Sequence, residues 1–411
     1  MKKLALLLVA VMLVSCCSFA MAEEKKTEIS YTSWALAEEK LVPIYGGAAD
    51  AFMADNPDVV VDYSRTNPYG DYLTQLKKDA SAGTAPYVAH IKAEWLPELL
   101  ELGVVKDIKP YISPEVIADY TEATIAAVSD GDRMVAMPWF GNSYALYVNK
   151  ALMAQAGIET MPATWEELIE DAKKISALGD DIYGLAIPNS NGVEAGEGYN
   201  ILPVLWAYGA EWNKFTSEES IKAFSLIKEL IDEGVSTTVG NSFKDLRRLF
   251  GEGKIGFYWD LEATISTAAS AASNEEEFYK NFAAIEIPGT KAYAINHFLV
   301  VLDNTPDEVM PAVGRFLEYM TDAKVIDIYY KGGQGKVSGR ASVNPKVFVD
   351  VSATTQAYVD AMTHANPLPI DIHFMQLESK VVDALTMLAQ GSSAEDAAAA
   401  LQEAFDEAYE D

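Results

Sequence analysis

The sequence predicts an α/β protein of two domains, and three observations lead there. Short β-rich runs alternate with helical patterns over most of the chain, the signature of strands layered against helices with largely parallel strands. The chain has 411 residues, 50% hydrophobic and 22% charged, a globular composition at a length that suits two domains. No repeat or low-complexity tract interrupts the pattern beyond the alanine-rich 394–400, which reads as ordinary helix.

Taken in order, the first element is a leader. Met1-Lys2-Lys3 supplies a basic start, and Leu4 to Val14 is an apolar run of 11 residues, too short to span a bilayer and suited to a signal peptide. Two cleavage sites compete. Ala20-Met21-Ala22 has the small-x-small form, whereas Leu13-Val14-Ser15-Cys16 resembles a bacterial lipobox, in which Cys16 is lipidated; the lipobox is preferred. Residues 1–22 are then leader and tether, the mature chain is exported, and the lipid is its only membrane attachment. Candidate strands follow at Ile29–Thr32, Val59–Tyr63, Tyr87–Ile91, Val135–Pro138, Ala145–Val148, Tyr183–Ile187, Ile255–Tyr258, Ala283–Ile287 and Ile295–Leu302. Thr164 with Glu167, Thr216 with Glu219, Thr305 with Glu308 and Ser392 with Glu395 have capping-box spacing, and Pro114 and Pro306 suit first helical positions. These signals place helices near 165–176, 218–233, 306–320 and 393–409. Glu38–Asp55 shows a helical face, with Pro43 and Gly46-Gly47 arguing for a kink or a late start.

Composition excludes several functions. Lys+Arg 31 against Asp+Glu 61 gives a net charge of −30, so nucleic acid and anionic membrane surfaces are poor partners. Both cysteines lie in the leader, which removes disulfides, a cysteine nucleophile and thiolate metal sites, and four histidines make a histidine metal site improbable. Neither a metal nor a cofactor is expected. There is no Gly-x-Ser-x-Gly elbow, His-Glu-x-x-His or Walker loop.

The segment Met137-Pro138-Trp139-Phe140-Gly141-Asn142-Ser143-Tyr144-Ala145-Leu146-Tyr147-Val148-Asn149-Lys150 is the most specific in the chain. Ala156-Gly157-Ile158 and Met161-Pro162-Ala163-Thr164-Trp165-Glu166-Glu167-Leu168 follow it. Together they resemble the extracellular solute-binding proteins of ABC importers, family 1, the sugar-binding class that includes maltose-binding protein. Ala51-Phe52 with Asn56-Pro57-Asp58-Val59, the Phe250–Trp259 strand, Phe316–Met320 and Gly332-Gly333 with Ser338-Gly339-Arg340 extend the resemblance, in order, over roughly 28–410. It implies a two-lobed periplasmic-binding-protein-like fold of class II type with the ligand cleft between the lobes. One lobe would comprise 28–137 plus about 288–335, the other 138–287 plus about 336–411. It also implies that the protein binds a small-molecule solute, a carbohydrate, and delivers it by hinge closure to an ABC permease; a monomer is expected. The sequence departs from the family at Ala85-Pro86-Tyr87, where Pro-Asp is common, and at 292–297, where bulkier residues replace a Gly-Gly-Ser type loop.

The residues themselves carry part of that reading. A sugar offers C–H faces and fixed hydroxyls, so its site needs flat aromatic rings and oriented polar groups, and the chain has 7 Trp, 21 Tyr and 15 Phe to supply them. Ligands of open α/β sheets lie beyond the carboxyl ends of strands. Trp34, Trp95, Trp139 and Trp259 each follow a candidate strand and become ligand-binding candidates, whereas Trp165, in the first turn of a capped helix, reads as structural. Trp206 and Trp212 flank a turn at Gly209, and Trp206 joins the candidates. Glu38, Asp71, Asn142, Asp260 and His297 occupy loops and are the polar candidates. Gly333, beside Gly332, either lets backbone approach the ligand or makes a hinge turn. The same fold with a peptide, polyamine, organic anion or metal complex, and an exported glycoside hydrolase with paired carboxylates, remain as alternatives.

Overall fold

The computed structural model describes residues 26–188, 198–237, 241–368 and 373–410; Cys16 and the leader lie outside them. Among the described residues eleven strands build the two main sheets: β1 Thr27–Thr32, β2 Val59–Asp62, β3 Val88–Lys92, β4 Met137–Ser143, β5 Ala145–Asn149, β6 Tyr183–Leu185, β7 Ile255–Asp260, β8 Phe282–Ile285, β9 Tyr293–Val301, β10 Val337–Ser338 and β11 Asn366–Pro367, a short strand beside the start of β9. The first sheet has the order β10-β4-β9-β3-β1-β2 and the second β8-β5-β7-β6. β1 pairs in parallel with β2 and β3. The long strand β9 returns from the second sheet and inserts, antiparallel to both neighbours, between β3 and β4. In the second sheet β6 pairs in parallel with β7, and β5 runs against both β7 and β8.

Most strand runs read from the sequence lie within a residue or two of these ranges; β4 is the exception. The apolar run suggested Val135–Pro138, but the strand runs from Met137 through Gly141 and Asn142 to Ser143, all buried. Gly and Asn discourage an extended reading, yet pairing on both sides, with β9 and β10, satisfies the backbone of this stretch. β4 belongs to the first sheet and β5 to the second, so the chain passes between them at Tyr144. It crosses back in 286–292 and again in 339–352.

Ten longer helices flank the sheets: α1 Val42–Asp55, α2 Tyr69–Ser81, α3 Trp165–Ser176, α4 Glu218–Asp232, α5 Phe243–Gly251, α6 Met310–Met320, α7 Ala323–Lys331, α8 Ala353–His364, α9 Phe374–Ala389 and α10 Ala394–Glu410. α1 takes the late start, with Pro43 in its first turn. Thr164 caps α3 by accepting from the Glu167 amide at 3.2 Å, and the Glu167 carboxylate accepts from the Ala163 amide at 2.7 Å. The caps of α4 and α10 sit one residue beyond the expected serine or threonine, at Ser217 and Ser393. The Thr305 signal fails: its hydroxyl donates to Leu302 O at 2.7 Å instead of capping, and α6 starts at Met310.

One core packs the first sheet against α1, α6 and α7 through Ile29, Phe52, Ile91, Phe316 and Tyr329. A second packs β5, β6 and β7 against α3, α4, α9 and α10 through Leu146, Leu168, Phe224, Phe257, Leu385 and Leu401. Around the crossing, Ser143 Oγ donates to Tyr358 O at 2.6 Å and Tyr358 Oη donates to Asp260 O at 3.1 Å, so α8 ties the end of β4 to the end of β7.

Candidate functional site: an aromatic and charged cleft between the lobes

The chain leaves β1 and β3 toward the second lobe, and the residues just past those strands form one wall of a cleft. Ser33 caps the short turn Trp34–Ala37 by accepting from the Ala35 amide at 3.2 Å, which holds Trp34 at the strand end. The Trp34 ring stacks on His90 at 3.8 Å between centroids and meets Tyr69, Tyr72 and Trp95 edge-on at 5.7, 5.3 and 5.2 Å. Lys92, the last residue of β3, stands over the rings of Tyr69 and Trp95 at 5.2 and 5.8 Å and lies 3.5 Å from the Glu94 carboxylate.

The second lobe supplies the opposite wall. The rings of Tyr144 and Tyr293 are 4.2 Å apart, Tyr199 meets Tyr293 edge-on at 5.1 Å, and Phe243 lies 5.8 Å from Tyr144. Burial above all pushes the hydroxyls of Tyr144, Tyr199 and Tyr293 above the ordinary tyrosine range, aided by Asp260 at Tyr144, by Tyr144 and Glu378 at Tyr199, and by Tyr144, Tyr199 and Asp260 at Tyr293. They therefore stay neutral, able to donate and accept. Arg247, from α5, lies over Phe243 and donates to Asp260 through Nε at 2.7 Å and Nη2 at 2.9 Å. The walls act on each other electrostatically: Lys92 on Glu378 and Tyr144, and Tyr69 on Tyr199.

A hydrogen-bonded row crosses the first sheet under this wall, one residue per strand. Asn142 on β4 lies 3.4 Å from His297 Nε2 on β9; His297 Nδ1 is 2.8 Å from His90 Nε2 on β3; His90 Nδ1 is 2.8 Å from Ser33 Oγ after β1. Burial first, then the charges of Lys336 and Lys92, pushes His90 well below the ordinary histidine value. Burial, His90 and the same lysines do so for His297. Both rings are neutral, each using one nitrogen to donate and the other to accept, so with the Asn142 amide donating the row runs from Asn142 to Ser33.

Of the candidates, Trp34 is half-buried, and Trp95, Asn142 and His297 are buried beside it, Trp95 as part of the first core. Glu38 and Asp71 are exposed, at the end of the Trp34–Ala37 turn and in the first turn of α2. Trp206 is half-buried against the second core. Trp139 is corrected to a core residue: it is fully buried among Tyr45, Phe140 and Tyr329, and its Nε1 donates to Met320 O at 2.7 Å. Trp259 is likewise 0% exposed within the second core, because alternation along β7 turns it inward and Asp260 the other way. Asp260 is structural: its carboxylate is saturated by Arg247, by Tyr258 Oη at 3.1 Å and by the Leu261 amide at 2.7 Å. Gly333 lies in the turn after α7 with φ of +72° and open space around its Cβ position.

Sequence reasoning missed Tyr69, Lys92, Glu94, Tyr144, Tyr199, Tyr293, Arg247 and Lys336. Lys92 and Glu94 sit between a recognised strand and a recognised tryptophan, and Tyr144 closes the most specific motif, so the strand-end rule applied to every residue type would have reached these three. A cavity of about 690 Å³ lies behind the crossing, bordered by Asn296, Arg340, Phe348 and Met362 and lined also by Phe140 and His297. It is on the rear face: a Cβ on Gly141 would point to Met362 and Asn296, away from the row. Among the described residues no cluster of three or more potential metal ligands occurs.

Residues 37–326 match the family model of the bacterial extracellular solute-binding proteins. The chain belongs to that family. Among its relatives, a putative binding protein of Brucella abortus is 30% identical over 226 residues, 53% of this chain and 54% of the relative. The galactooligosaccharide-binding protein of Bacillus subtilis is 25% identical over 48% of each chain. This solute-binding protein thus spans about half the length of the curated relatives it matches. In three dimensions it is similar to the cyclic α-maltosyl-1,6-maltose binding protein of Arthrobacter globiformis, with a TM-score of 0.79 at 20% identity over 93% of this chain and 98% of that one. The fold is accordingly that of the two-lobed solute-binding proteins, with strands passing between the lobes at the base of the cleft.

Proposed function

We propose that the protein captures a carbohydrate outside the cytoplasm by closure of its two lobes and delivers it to the permease of an ABC importer. The observation that carries this reading is the pair of facing aromatic walls, Trp34, Tyr69 and Trp95 against Tyr144, Tyr199 and Tyr293, interleaved with Lys92, Glu94 and neutral phenols. Rings stacked on sugar C–H faces add about 0.5–1.5 kcal/mol each beyond area burial, if they act as aromatic pairs do. The buried polar groups would supply stereochemical choice, because an analogue lacking a hydroxyl leaves them unpaired. The sugar-binding relative and structural neighbour support the same class of solute. Closure would hinge at Tyr144, 286–292 and 339–352. The leader supports export with lipid attachment at Cys16, and the mature protein is proposed to work as a monomer.

The test is a titration with mono- and oligosaccharides that follows tryptophan fluorescence and melting temperature together. A true ligand at 100 times its dissociation constant stabilises by about 2.7 kcal/mol. A saturable response to a sugar, without turnover, supports the reading; silence across the sugars with a response to peptides, polyamines or metal chelates overturns it. Intact mass after membrane extraction decides between cleavage before Cys16 and after Ala22, and sedimentation at high concentration tests the monomer.

A further inference from the structure

The cleft holds one cation without a counter-charge among the described residues. Lys92 is matched by Glu94 and Arg247 by Asp260. Lys336, in the segment leading from α7 into β10, is only 8% exposed and has neither an ion pair nor a hydrogen bond to its ammonium there. Its ammonium stands over the face of Phe140, 4.9 Å from the ring centre.

Strand register fixes which way Lys336 points. Val337 pairs with Gly141 and Ser338 with Phe140; continued by one residue, that antiparallel register would set Lys336, which precedes the strand, beside Asn142, in keeping with its contact to the Phe140 ring. The side chain of Gly141 would point to α8 and the rear cavity. Alternation therefore turns Phe140, Asn142 and Lys336 to the opposite face, where His297 and His90 run toward Trp34. Lys336 extends that row beyond its Asn142 end, and its charge is felt at both imidazoles. Burial alone pulls its pKa from 10.5 down to about 7, with no carboxylate acting on it. An ammonium in such a place is poorly stabilised by a ring face alone, and the group that would complete it is an anion.

We propose that the solute is an acidic carbohydrate, bearing a carboxylate or a phosphate, and that Lys336 receives its anionic group at the hinge end of the cleft. This rests on the carbohydrate reading above and narrows it. The neutral histidine–asparagine row would serve the adjoining hydroxyls, and the aromatic walls the sugar rings.

The test compares D-galacturonate, D-glucose 6-phosphate, D-galactose and D-glucose against wild-type protein, Lys336→Gln and Lys336→Arg, with affinity read by calorimetry. The expected result is that one acidic sugar binds the wild type more tightly than its neutral parent. Lys336→Gln should then lose roughly 10- to 100-fold of that affinity, the range of a hydrogen bond to a charged group. Lys336→Arg should retain most of it. Response to galacturonate or to glucose 6-phosphate tells carboxylate from phosphate. Should Lys336→Gln not fold, Lys336→Met, which keeps the packing on Phe140, carries the same comparison. A neutral sugar bound as tightly as its acid, or an acid bound equally by wild type and variant, overturns this inference and leaves the carbohydrate reading standing. Silence of every sugar, acidic and neutral, overturns both.

Discussion

Replacing Lys336 by methionine should stabilise the empty protein, by an amount that depends on pH in a calculable way. The pKa falls from 10.5 in the unfolded chain to about 7 in the folded one. Between those values the unfolded chain binds more protons, so wild-type stability gains with rising pH from this group. Below pH 7 both states are protonated and the folded state carries the full cost of a buried ammonium, 3.5 pH units at about 1.36 kcal/mol each, or on the order of 5 kcal/mol as an upper limit. By pH 9 the folded side chain is neutral and the remaining cost is about 2 kcal/mol. Methionine has no charge to bury and keeps an apolar contact with Phe140. Urea denaturation of ligand-free wild type and Lys336→Met at pH 6, 7.5 and 9 should therefore show the variant ahead by the largest margin at pH 6, shrinking by about 2–3 kcal/mol by pH 9. Groups common to both proteins cancel in the difference. A margin that does not change with pH, or a variant less stable than wild type at pH 6, would refute the reasoning.

Three further expectations concern the walls of the cleft and the core behind them. Arg247→Ala leaves the Asp260 carboxylate, 0% exposed, without its cation and should cost about 3–5 kcal/mol in denaturant unfolding. Adding Asp260→Asn should recover part of that, and a single-variant loss below about 1 kcal/mol would mean that water reaches the pair. Trp139→Ala should cost about 3–5 kcal/mol of stability as a core truncation. Trp34→Ala should act chiefly on ligand affinity, by roughly 2- to 15-fold for one lost stacking contact; equal stability losses would remove Trp34 from the wall.

What the sequence made legible follows a physical line. Strands with dense β-branched and aromatic residues, such as 255–260 and 293–301, and helices with strong caps, such as 165–176, were readable because local preference and tertiary environment agree. β4 was misplaced because Gly141 and Asn142 oppose a strand locally, and only pairing with β9 and β10, remote in sequence, makes one. The cleft was half legible. The strand-end rule reaches Trp34 and Trp95, but it cannot say which way a side chain points: Trp259 near the end of β7 and Trp139 within β4 both turn into the cores. Lys336 was invisible for a related reason. A lysine in a glycine-rich turn reads as solvated, and only the register of β10 against β4 puts it on the inner face.

The charge of the chain bears on the acidic-sugar proposal through kinetics. At a net −30 the surface repels an anionic solute on approach, although Lys336 attracts it once inside. Repulsion by exposed carboxylates is long-ranged and is screened beyond about 8 Å at physiological salt, whereas a buried pair is screened far less. Added salt should therefore raise the association rate of an acidic sugar and change its dissociation rate little, so that affinity improves with ionic strength. A neutral sugar should show neither effect. Stopped-flow tryptophan fluorescence between low and physiological salt separates the cases. An association rate that falls as salt rises would mean that exposed cations at the cleft mouth, and not Lys336 at its base, govern the encounter.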